Sequence, residues 1–202
     1  MLIALLTTLI TITGSIVSAY TLNRHQRLFY RGVSCRFQGK YEIAIEYYTR
    51  AIALKPRFAY AYYSRGNAQF ELANYSEALE NYSQAIQFEP NFVEAYYNRG
   101  NTHAALGNWK EALADFTQTV RLDSEHAKAY GNRGLVYTKL NNDRDAERDF
   151  QQAINLFLRQ GDLQSYQLVR QHMSYDDVRA ELNRDSAPKA NSAANLTEVG
   201  VL

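Results

Sequence analysis

Four histidines and one cysteine are the side chains of this chain best suited to metal ligation or nucleophilic chemistry, and their spacing withholds both. His25, His103, His126 and His172 include no His-x-x-x-His pair and stand in no ligand spacing. His103 reads as a satisfied core or rim histidine. Cys35 has no second cysteine to pair with, so it reads as a small buried hydrophobe in a reducing compartment, or as a neutral bystander. Serine, cysteine and histidine occur without a nucleophile arrangement, and no glycine-rich loop opens a helix after a strand. Asp176-Asp177 reads as solvated helix-end charge, and Asp143-x-Asp145 favours a helix start through the macrodipole. Catalysis, a metal, a cofactor and a small-molecule substrate are therefore not expected. Lys plus Arg number 22 against 21 Asp plus Glu, so no global field points to nucleic acid.

The residues that do recur have another purpose. Gly32, Gly66, Gly100 and Gly134 stand at intervals of 34, each closing a phrase: Leu28-x-x-Arg31, Tyr62-x-x-Arg65, Tyr96-x-x-Arg99 and Tyr130-x-x-Arg133. Twelve residues after each glycine comes a small residue (Ala44, Ala78, Ala112, Ala146), then an aromatic (Tyr48, Tyr82, Phe116, Phe150), then Ala51, Ala85, Thr119 and Ala153. A period of this length marks a stack of helix pairs, because no one unit can bury its apolar stripe alone. The glycine removes a side chain where a neighbouring helix must come close, at a cost of about 0.5–1 kcal/mol against alanine. Gly39 and Gly107 fall in the turns between helices, with Asn74 and Asn141-Asn142 in the equivalent places, where a left-handed backbone is needed. The arginines stand near the packed face, so their stems should be covered while the guanidinium pairs with an acid or escapes to the rim.

The pattern resembles the tetratricopeptide repeat, with its aromatic-x-x-Leu-Gly-x-x-Tyr, Ala-x-x-x-Phe and closing proline, here Pro56 and Pro90. Departures are Leu28 and Cys35 at aromatic positions, Ser124 for the third proline, and Leu158 in the fourth unit. The resemblance implies an all-α, right-handed superhelical solenoid of four helix pairs, at 25–58, 59–92, 93–126 and 127–160. A capping helix at 161–184 would carry Leu163, Tyr166, Val169 and Met173 on its packing stripe. A disordered tail is expected over 185–202, which has little to bury.

The resemblance also implies where a partner binds. In the family the second, fifth, sixth, ninth, twelfth and thirteenth positions of each unit line the concave groove. Unit two then supplies Tyr60, Tyr63, Ser64, Asn67, Phe70 and Glu71. Unit three supplies Glu94, Tyr97, Asn98 and Asn101, and unit four Lys128 and Asn132, among others. Tyrosine offers contact area at small entropy cost, and asparagine offers both donor and acceptor to a peptide main chain. The partner expected is therefore a peptide segment or helix of another protein. Chaperone-binding members clamp a terminal carboxylate with lysine at the fifth position, where this chain has Tyr63 and Tyr97, so that ligand is not expected.

Ahead of the repeats, Leu2 to Leu22 carry no charge, and 21 residues of helix span about 30 Å, the thickness of a bilayer core. The segment 1–23 reads as a transmembrane anchor through residues 2–22, or as a signal peptide cleaved after Val17-Ser18-Ala19. No Lys or Arg precedes the run, and Arg24, Arg27, Arg31, Arg36 and Lys40 follow it. That asymmetry predicts a single-pass membrane protein with its repeats on the cytoplasmic side; cleavage would instead place them in the periplasm. Single-anchor proteins of this kind resemble bacterial, notably cyanobacterial, assembly factors for membrane complexes. An adaptor of that sort is the expected function, with an exported scaffold or a self-associating structural protein as alternatives.

Overall fold

Short helices of 13 or 14 residues dominate because the chain punctuates itself at fixed places. The computed structural model describes residues 22–171, which form nine helices and no strand. In chain order these are α1 (Arg24–Phe37), α2 (Tyr41–Leu54), α3 (Ala59–Glu71), α4 (Tyr75–Phe88), α5 (Val93–Ala105), α6 (Trp109–Leu122), α7 (Ala127–Lys139), α8 (Asp143–Gln160) and α9 (Leu163–Arg170). The chain divides into two compact units, one running to Ser124 and the other from Glu125. The first holds the pairs α1/α2, α3/α4 and α5/α6, and the second holds α7/α8 and α9. Among the described residues no helix is long and apolar enough to cross a membrane. Apart from Leu22 and Asn23, the expected span at 1–23 lies outside the described residues, as do residues 172–184 of the capping segment and the tail at 185–202.

The turns follow backbone chemistry. Gly39 (φ 71°) and Gly107 (φ 75°) take the left-handed conformation, and Asn141 does the same at φ 56°. In the second unit of the repeat the left-handed residue is Ala73 (φ 58°), one place before the Asn74 singled out from the sequence. Asn74 instead stands at the N-cap of α4, as Asn108 and Asn142 do for α6 and α8. Asn favours both places, so residue type alone did not separate them. Lys55 and Glu89 leave the helical region just before Pro56 and Pro90, as a residue preceding proline must. Asp123 adopts the same extended backbone without a proline behind it. Where Leu158 replaces proline, nothing stops the helix, so α8 runs for 18 residues to Gly161 at φ 72°. Its first turn carries Asp143 and Asp145, as the macrodipole favours.

Packing inside each pair turns on one contact. A Cβ built on Gly32, Gly66, Gly100 or Gly134 would lie 2.6–2.8 Å from the ring of Tyr48, Tyr82, Phe116 or Phe150. The four rings and the alanines beside them are buried. Between pairs of the first unit, Ala44, Tyr48 and Ala68 form one cluster, flanked by Phe29, Val33 and a half-buried Cys35. Ala59, Ala85, Phe92 and Ala95 form a second. In the second unit, Ala127, Ala153, Leu156 and Phe157 are covered by Tyr130 and by Tyr166 and Val169 of α9. Leu163, expected on that stripe, is exposed instead, because it is the first residue of α9 and sits at the rim beside the N-cap Asp162.

The repeated arginines hold the two helices of a pair together. Arg99 Nε and Nη2 donate to the two carboxylate oxygens of Asp115 at 2.9 and 2.7 Å, and Arg133 makes the same fork to Asp149. Arg65 has an amide in that place and donates to Asn81 Oδ1 at 2.7 Å. Burial disfavours all three guanidinium charges, yet only Arg65 ends with a lowered pKa. At Arg99 and Arg133 the hydrogen bonds and charge of the aspartate outweigh burial, and the pKa rises. Each guanidinium also lies 5.3–5.6 Å from the ring of Tyr62, Tyr96 or Tyr130. Arg31 is exposed, and the residue sixteen places on is Tyr47 rather than an acid or amide.

Two stability experiments test these contacts. Gly100→Ala should cost about 1–3 kcal/mol in urea unfolding, and Phe116→Leu in the same chain should recover part of it by making room. An unchanged midpoint would mean that the ring swings aside freely. Asp115→Asn should cost about 1 kcal/mol, reproducing the Arg65–Asn81 arrangement. Asp115→Ala should cost about 3 kcal/mol, since it leaves the Arg99 charge largely covered and unpaired. Equal losses would overturn the ranking.

Candidate partner-binding groove

The first helices α1, α3 and α5 of the first unit bring a row of polar side chains to one cleft. It encloses about 240 Å³ and is lined by Arg36, Asn67, Phe70, Glu71, Tyr82, Asn98 and Asn101. Asn67 and Asn101 occupy equivalent places on α3 and α5, and Asn98 lies one turn before Asn101.

Hydrogen bonds orient two of these amides. Asn67 Oδ1 accepts from the Tyr82 hydroxyl at 2.8 Å and from Asn98 Nδ2 at 2.8 Å. Asn98 Nδ2 also donates to the Tyr63 hydroxyl at 3.1 Å. The carbonyl of Asn67 and the amino group of Asn98 are thus engaged within the wall. Among the described residues, the groups the pair leaves unengaged are the Asn67 amino group, a donor, and the Asn98 side-chain carbonyl, an acceptor. Burial, reinforced by Tyr63 and Glu71, pushes the Tyr82 hydroxyl far above its usual pKa, so it remains a donor at any working pH. The preceding repeat lacks this device. Val33 replaces the asparagine there, and among the described residues the buried Tyr48 hydroxyl finds no well-formed hydrogen bond, with Arg36 and Ser64 the polar groups facing it.

Of the residues expected in the groove, the cleft gathers Asn67, Phe70, Glu71, Asn98 and Asn101. Tyr60 is exposed and outside the lining, 4.8 Å between ring centroids from Phe92. Tyr63 is half-buried, its ring 4.8 Å from Phe92 and 6.1 Å from Tyr82. It is therefore a packing residue, and it lies outside the lining. Tyr97 is half-buried against Phe116 at 5.9 Å, and Glu94 is exposed outside the lining. Lys128 (exposed) and Asn132 (half-buried) belong to α7 of the second unit. Two lining residues escaped the sequence reading. Arg36 is the twelfth residue of the first repeat, so the register applied to the later repeats points to it as well. Tyr82 was read only as a packing aromatic, because a pattern of types does not show that its hydroxyl reaches the cleft.

Among the described residues no three of His, Cys, Asp and Glu are grouped to hold a metal ion. His103 is half-buried, and among the described residues its buried Nδ1 has no hydrogen-bond partner. Burial lowers its pKa from the ordinary 6.5, against the opposing pull of Asp115. The unfolded chain thus takes up this proton more readily, and stability should fall as pH drops below about 6.5. His103→Gln, the residue type found at the equivalent Gln69, should flatten urea midpoints over that range. An unaltered slope would assign the acid loss to other groups.

Comparison with known proteins agrees with this architecture. Residues 32–73 and 70–107 match a family model described as TPR repeat, and residues 92–159 match one described as Tetratricopeptide repeat. A crystal structure of MamA is similar, with TM-score 0.67 at 23% identity, covering 73% of this chain and 86% of that one. The first TPR of Spaghetti (RPAP3) bound to the HSP90 peptide SRMEEVD gives TM-score 0.58 at 24% identity, covering 58% of this chain and 94% of that one. The Arabidopsis OM64 TPR domain gives 0.55 at 25% identity, covering 56% and 94%. No curated protein matches the chain.

Proposed function

The chain is a tetratricopeptide repeat protein, and on that premise we propose that it is a non-catalytic adaptor holding a segment of another protein in the cleft of its first unit. The observation that carries this reading is the oriented pair Asn67 and Asn98. A donor and an acceptor held side by side match the C=O and N–H of a peptide main chain, and they recognise a segment without dictating its side chains. Phe70 adds apolar contact within the lining. Arg36 and Glu71 supply opposite charges along the cleft, which fix the direction of a bound segment. The similar TPR of Spaghetti (RPAP3), bound to a peptide, supports the ligand class. A clamp for a terminal carboxylate is not part of the proposal, since Tyr63 and Tyr97 stand where lysines would be required.

In this reading residues 2–22 tether the adaptor to a membrane with its repeats on the cytoplasmic side, and its clients are subunits of a membrane complex under assembly. Confinement at the bilayer raises the effective concentration of a membrane-borne client, so a groove of about micromolar affinity suffices.

The test is photocrosslinking of full-length protein from position 101 in native membranes, followed by affinity measurement with a synthetic peptide of the crosslinked segment. Arg36→Gln with Asn101→Ala should weaken that peptide by about 1–3 kcal/mol while far-ultraviolet circular dichroism stays unchanged. Tyr63→Ala is a poorer probe, because it also removes a packing ring. Binding indifferent to the double substitution would move the site off this cleft.

A further inference from the structure

The face of α1 directed away from the rest of the first unit is built for water and anions rather than for another repeat. In the later pairs of this unit the equivalent face is small, apolar and covered. Ala95 packs on Ala59 and Ala85 of the preceding pair, and Ala68 packs on Ala44 and Tyr48. The residues of α1 in those two places are Arg27 and Ser34, both exposed. Around them, at spacings of three and four, lie Arg24, Tyr30, Arg31 and Phe37. Tyr30 is 55% exposed and Phe37 78%, among the most exposed large hydrophobic side chains described. No acidic residue occurs in α1, and among the described residues no carboxylate forms an ion pair with Arg24, Arg27 or Arg31. Arg27 Nε donates to the backbone carbonyl of Leu22, which holds the guanidinium at the very start of the helix.

We infer that this stripe docks on an anionic phospholipid surface, with Arg24, Arg27 and Arg31 meeting headgroup phosphates and Tyr30 and Phe37 entering the interfacial layer. Arginines without carboxylate partners are complementary to a negative leaflet, where each basic residue strengthens attachment severalfold. Exposed aromatics beside them are the side chains that settle at headgroup depth. The choice of lipid rests in part on the membrane reading above, because the uncharged run Leu2–Leu22 ends two residues before α1. Docked in this way, the first helix pair would lie along the bilayer instead of swinging freely on a tether.

The experiment uses the full-length chain with one environment-sensitive fluorophore at position 34 (Ser34→Cys in a Cys35→Ser background). It is mixed with phosphatidylcholine vesicles with or without phosphatidylglycerol. Flotation with pure phosphatidylcholine reports the hydrophobic span, and shielding of the label from an aqueous quencher reports the stripe. The expected result is flotation with both vesicles, and label shielding severalfold greater with phosphatidylglycerol at low salt. High salt, or Arg24→Gln, Arg27→Gln and Arg31→Gln together, should abolish that difference while flotation persists. Equal shielding in both vesicles overturns the inference. Flotation only with phosphatidylglycerol, reversed by salt, supports the stripe while overturning the membrane span. Shielding produced by soluble polyglutamate or RNA but not by phosphatidylglycerol would overturn the lipid assignment in favour of another polyanion.

Discussion

The contact between a glycine on one helix and an aromatic ring on the next is the constraint on which the structure depends. In all four pairs the ring of Tyr48, Tyr82, Phe116 or Phe150 occupies the space a Cβ would need. That contact sets how closely the helices of a pair approach, and so it sets the reach of everything between them. The Arg99–Asp115 and Arg133–Asp149 forks close only because the helices are this near. Glycine in mid-helix is unfavourable by itself, so its fourfold use makes sense only through the ring it admits.

The cleft follows from the same geometry. Tyr82 is pressed on Gly66, and its hydroxyl passes beside the glycine's helix to meet Asn67. A ring held for packing thereby orients an amide that lines the cleft. Asn98, from the following pair, completes the arrangement and ties the two pairs across the cleft wall. Packing and the orientation of these amides are therefore not separable at Tyr63 or Tyr82, whereas Arg36 and Glu71 line the cleft without a part in that arrangement. Phenylalanine in place of tyrosine at position 116 keeps the packing and loses this hydroxyl, which restricts the device to one repeat of the first unit.

Much of the fold was legible because it is periodic. The interval of 34, the glycines, the buried alanines and aromatics and the prolines each act within one helix pair or between immediate neighbours, so residue type and spacing are enough. The Arg positions were legible as lying near the packed face for the same reason, and both expected outcomes occur: Arg99 and Arg133 meet an acid, and Arg31 is exposed. Finer features were not. Asn74 and Ala73 exchanged roles at a turn because asparagine suits both a left-handed residue and an N-cap. Leu163 missed the packing stripe because helical spacing does not say where a helix begins relative to its neighbour.

The sequence by itself determined an all-helical repeat protein without a recognisable catalytic arrangement, and pointed to the helix faces from which a partner site would be drawn. Those properties reside in local periodicity and in side-chain chemistry that reads the same in any conformation. Tertiary structure decided which groove residues share one cleft, that Tyr63 is packed rather than free, that Arg36 and Tyr82 belong to the lining, and which edge of each amide is hydrogen-bonded within the wall. The reason is that these properties depend on distances of 3 to 6 Å between residues 15 to 35 places apart. Only the packed helices set those distances.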